Sequence, residues 1–159
     1  MIKLRWIIVY IIVLSVNSIA ADKSTMNTSL SEVFSKLNFT VSIDYSSRAL
    51  KKLQKSNEKV KVWVIIDQYG KQYMEEEAVA AGEVIINPEE KAVFHGVPLA
   101  DSHYRYKKNK KYILSVEVIS ARKIYENNIL HCYSKSGKID YNIHEVQGKE
   151  LVFQCKLIH

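Results

Sequence analysis

The stretch HYRYKKNKKY, residues 103–112, places five Lys or Arg and three Tyr in ten positions. Cations interleaved with aromatic rings can grip phosphate or sulfate groups and stack on flat partners. In an extended backbone His103, Arg105 and Lys107 share one face, and Tyr104 and Tyr106 share the other. The same residues also suit a solvated turn. Asn109 tolerates a positive φ, and lysine-rich edges keep exported sheets from pairing edge to edge. A basic hairpin tip is the expected structure, with Tyr104, Arg105, Tyr106, Lys107 and Lys108 as its candidate binding residues.

A second candidate lies at residues 122–128, RKIYENN, directly after a strand-like run. Loops on a rigid scaffold often hold binding residues, and here Arg122 and Tyr125 are the side chains to consider. Ile124 and Tyr125 could equally cap one end of the core.

Other constellations carry less. The five histidines (95, 103, 131, 144 and 159) are scattered, with no pair at metal-ligand spacing. There is no G-x-S-x-G, no glycine-rich phosphate loop and no H-E-x-x-H. Glu75–Glu77 and Glu89-Glu90 read as solvated carboxylates, since nothing sets their pKa values apart as acid–base work requires. The expectation is therefore no catalytic residue, no metal and no cofactor. A hydrolase or metal-dependent enzyme assembled from dispersed residues is the minor alternative.

Cys132 and Cys155 are the only cysteines, 23 residues apart. Outside the reducing cytosol such a pair forms one disulfide most simply, and no C-x-x-C spacing favours a metal site. The N-terminus points to the same compartment. Lys3 and Arg5 precede an apolar run from Trp6 to Val16, and Ser18 and Ala20 supply the small residues of a cleavage site. A run of about 11 apolar residues is too short to span a bilayer. A signal peptide over residues 1–20, cleaved after Ala20, is expected, leaving 139 residues as one domain. Lys3 and Arg5 account for part of the net charge of +6. The remaining excess favours acidic partners only weakly, and no nucleic acid is expected.

These residues need elements to position them. Leu30, Val33, Phe34 and Leu37 fall on one face of a short helix, with Ser29 and Glu32 fitting a capping box. The apolar period then drops to two. Strands are predicted at 38–45 and 59–67, the latter central in its sheet, and at 112–119 with Tyr112, Leu114, Val116 and Val118 inward. A Lys-rich connection over 46–57 carries one helical turn. Residues 68–82 read as a loop or short helical excursion. Strands at 83–87 and 91–95, joined through Asn87-Pro88-Glu89-Glu90, read as a hairpin. Further strands are predicted at 128–134, 138–143 and 150–158, with turns at Ser136-Gly137 and Gln147-Gly148.

Seven or eight short strands with a short N-terminal helix make the chain mainly β. The fold class is an antiparallel β-sandwich that resembles the immunoglobulin-like and transthyretin-like sandwiches in coarse architecture. The Cys–Trp–Cys order of immunoglobulin domains is absent, because Trp63 precedes both cysteines on the mixed face of its strand. Both sulfurs are expected inward, joining the sheets. Asn27-Thr28-Ser29 and Asn38-Phe39-Thr40 match the N-glycosylation acceptor pattern.

The resulting expectation is a periplasmic or secreted, non-enzymatic module that binds a protein partner, as an assembly factor or a secreted effector. The alternative is a binder of anionic polysaccharide or lipid head groups through the basic tip. No membrane span remains once the signal is removed.

Overall fold

Period-two alternation is realised as eight strands among the described residues, and three short helices accompany them. The computed structural model describes residues 30–69, 76–99 and 110–158, without the side chains of Leu30, Ser31, Glu76 and Glu77. The expected signal peptide, Ser29 of the capping box and the tip residues Tyr104, Arg105, Tyr106, Lys107 and Lys108 lie outside that range.

The chain begins with α1 (Leu30–Ser35) and β1 (Asn38–Tyr45), followed by α2 (Ser47–Ser56) and β2 (Val60–Tyr69). Next come β3 (Glu76–Ile86), β4 (Ala92–His95) and β5 (Lys111–Ser120). The last elements are β6 (Leu130–Ser134), β7 (Asp140–Asn142), α3 (Ile143–Val146) and β8 (Glu150–Leu157). One four-stranded sheet has the order β4-β1-β8-β6 and the other β3-β2-β5-β7. β1 and β8 run parallel and every other pairing is antiparallel. The fold is a mainly-β sandwich with a short N-terminal helix. β2 lies between β3 and β5, the central position its apolar content indicates.

Inward residues of the two sheets form the core. Val60, Val62, Val64 and Ile66 of β2 are fully buried, as are Val41 of β1 and Leu114 of β5. Phe39 stacks on Phe94 across the β1–β4 pair, with ring centroids 4.8 Å apart. The helix α1 drops Phe34 into the core, edge-on to Tyr112 at 5.8 Å. Gly96 makes this docking possible. Its φ is +86°, and a Cβ there would meet the backbone oxygen of Ser35 at 2.9 Å.

Four expectations are corrected. The segment 87–90 does turn tightly, with the Glu90 amide donating to Asn87 O and the Asn87 amide to the Glu90 carboxylate. The strands it joins are not a hairpin, however, because β3 and β4 belong to different sheets. Residues 76–82 are strand, not loop or helix. Their small side chains conceal the alternation, and this edge is closed by Pro98 and Leu99, through Ala81 N–H to Pro98 O and a bridge between Ala80 and Leu99. The Lys-rich connection holds a ten-residue helix, not a single turn. Finally, Cys132 and Cys155 are bonded, but they face each other on adjacent strands of one sheet. Their Cα atoms are 4.2 Å apart, the spacing of a non-hydrogen-bonded antiparallel pair. The bridge fastens the edge strand β6 to β8 and does not join the two sheets.

Candidate interaction face

A half-solvated sheet should present polar side chains outward. The β4-β1-β8-β6 sheet does so except at its edge strand β4, where Val93 is 46% exposed. Its outward surface is laced by Lys91–Glu150 and Lys135–Asp44 ion pairs, and the Tyr133 hydroxyl donates to Gln154. The other sheet departs from this rule. Trp63 and Ile85 remain 39% and 40% exposed on its outer surface, beside Ile65 and Ile119, which are only partly covered.

Strand register organises this face into rows. Trp63 lies opposite Glu83 on β3 and Glu117 on β5. One row on, Lys61 lies opposite Ile85 and Ile119, and in the other direction Ile65 lies opposite Ala81 and Ser115. Lys61 reaches diagonally to Glu83 at 3.0 Å. Arg122, at the end of β5, closes a shallow groove of about 370 Å³ over Lys61, Trp63, Glu83, Glu117 and Ile119. The indole is thus a large amphipathic surface framed by charges of both signs.

Arg122 is held by a residue that local sequence gives no reason to notice. Asn57 adopts the left-handed conformation after α2, and the amides of Asn57 and Glu58 donate to Gln54 O and Leu53 O in a Schellman closure. This turn carries Glu58 inside, where it is 1% exposed. One carboxylate oxygen accepts from the amides of Lys59 and Lys123, both at 3.1 Å. The other accepts from Ile124 at 2.7 Å and Tyr125 at 3.2 Å. Four backbone donors converging on one buried carboxylate fix the loop, including the positive φ of 57° at Arg122, which a non-glycine residue adopts at a cost of about 1–2 kcal/mol. The base of the same loop is tied by Asn128, whose side-chain oxygen accepts from the Ser120 and Leu130 amides.

Tyr125 does not share the groove with Arg122. Its ring packs under Lys52 of α2, with Nζ 4.9 Å from the centroid. The Lys52 contact, with help from Ser56, draws the phenol pKa below its usual value. Ile124 is 59% exposed, so it does not cap the core. The loop that linked Arg122 and Tyr125 in sequence therefore turns them toward different surfaces. Asn38 of the second sequon is exposed, with its amide nitrogen donating to Lys36 O.

Among the described residues, no group of three or more His, Cys, Asp or Glu is placed to hold a metal ion. His95, His131 and His144 are all exposed, and no described helix is long and apolar enough to cross a membrane. No family model matches the chain, and no curated protein or solved structure is significantly similar to it.

Proposed function

We propose that the protein is exported to a periplasmic or extracellular space, after removal of residues 1–20, and acts there as a non-enzymatic protein-interaction module. Its contact surface is the outward face of the β3-β2-β5-β7 sheet. The observation that carries this reading is Trp63, half-exposed at the centre of a sheet surface that also leaves Ile85 open to solvent. Covering that row removes apolar area from water, at about 25 cal/mol per Å². Lys61, Glu83, Glu117 and Arg122 around it set register and exclude mismatched charges. The Cys132–Cys155 bridge supports the compartment, since stable disulfides belong to oxidising environments.

The test is affinity capture with the mature chain and with a Trp63→Ala/Ile85→Ser variant, both checked for folding by circular dichroism. A partner retained by the first and lost by the second supports the reading. Identical captured proteins from both forms, or a strictly partner-free monomer, contradict it.

A further inference from the structure

The helix α2 carries a second surface, on residues that the sheet face does not use. Its buried side is formed by Ala49 and Leu53, both fully inaccessible. On its other side stand Arg48, Lys51, Lys52 and Lys55, all exposed. Positions three, four and seven residues apart fall on one helical stripe, here roughly 10 Å long from Arg48 to Lys55 at the usual helical rise. The helix has no acidic residue of its own, and none of the four cations is in an ion pair among the described residues. An acid on the flank, Glu89, is occupied by Gln54 at 2.6 Å. The stripe is also held in place: Ser46 caps the N-terminus, the Schellman turn closes the C-terminus, and Lys52 rests on Tyr125.

We infer that this stripe is a docking site for a linear sulfated polysaccharide. Four like charges in a row on a capped helix, with no counterion among the described residues, match the repeating charge of a polyanion, and binding releases the polymer's own counterions. A bilayer would need apolar side chains to insert, and those of α2 face the core. Single-stranded nucleic acid would need free aromatic platforms, whereas Tyr125, the ring against the stripe, is engaged by Lys52. An oxidising compartment likewise favours extracytosolic glycans over nucleic acid.

The experiment is salt elution of the full chain from immobilised heparin, with two charge-matched variants. Arg48→Gln/Lys51→Gln/Lys55→Gln removes the stripe, and Lys107→Gln/Lys108→Gln/Lys111→Gln removes the same charge from the basic segment. Glutamine is a good helix former, and circular dichroism verifies the fold. The expected result is an affinity loss of about tenfold or more and a shallower salt dependence for the stripe variant alone. Equal loss in both variants, loss confined to the second, or unchanged retention of the first overturns the inference. Stronger binding to phosphatidylserine vesicles or single-stranded DNA than to heparin also overturns it. Capture through Trp63 can succeed or fail independently of this outcome.

Discussion

Glu58 offers the sharpest perturbation. Its two oxygens accept from four backbone amides, two each. Glu58→Gln keeps the shape but leaves one acceptor oxygen. Whichever way the amide turns, two N–H groups then face a donor. An orphaned buried donor costs about 1–3 kcal/mol, and these contacts are part-buried, so water relieves some of the loss. About 2–3 kcal/mol is therefore expected for Gln. Glu58→Ala orphans all four amides, and about 3–5 kcal/mol is expected, as for removing one partner of a buried charged network. Urea denaturation gives the stability change from the shift in midpoint at constant slope. Amide hydrogen exchange supplies the local signature, with protection lost first at Lys123, Ile124 and Tyr125. A Glu58→Gln variant within about 0.5 kcal/mol of the parent, the range of an ordinary surface change, would refute the anchoring role.

Three further expectations concern the scaffold. The Tyr45 hydroxyl is buried without a hydrogen-bond partner among the described residues, so Tyr45→Phe should be neutral or stabilise by about 1 kcal/mol in the same denaturation assay. Burial, reinforced by Glu89, raises its pKa well above the ordinary 10.0. The folded state therefore keeps this proton longer, and the associated stability is full below that value and lost as pH rises further. Ultraviolet absorbance should show one phenol ionising only as the chain unfolds. Gly96→Ala combines a positive φ with a 2.9 Å approach to Ser35 O and should cost more than about 1 kcal/mol, read as a lower melting temperature. Reducing the Cys132–Cys155 bridge, which spans 23 residues, should cost about 3 kcal/mol on the chain-entropy model. A reduced form with an unchanged urea midpoint would contradict that.

Strand content was legible because burial on one face writes itself as alternation. Phe39, Val41 and Val60 to Ile66 carry that signal, and the bounds of β1 follow from it directly. Where side chains are small it disappears, as at Ala78 to Gly82, whose strand is supported by packing and by contact with Pro98 and Leu99. Partner choice is equally silent. Asn87-Pro88 makes the same local turn whether the flanking strands pair or part, so the turn alone does not distinguish a hairpin from a crossing between sheets. The inward faces of both cysteines could be counted off, but not that β6 and β8 are neighbours.

The candidate site was only half legible. Arg122 and Tyr125 stood out by residue type, yet their separation depends on Glu58, 65 to 67 residues from the amides it binds in that loop. Trp63 was visible on a mixed face, but its exposure depends on what lies opposite. Glu83 and Glu117 are brought there by pairing alone. The α2 stripe was hidden in a Lys-rich connection because helix length there is set by the capping at Ser46 and Asn57 as much as by apolar period.

Trp6 and Trp63 are the only tryptophans in the chain, so removal of residues 1–20 leaves Trp63 as the sole indole reporter on the proposed contact face. Its emission, recorded while a chain lacking residues 1–20 is titrated with the captured partner, should shift to shorter wavelength and become shielded from acrylamide. A saturable complex in which Trp63 emission and quenching stay those of the free protein would contradict the central claim.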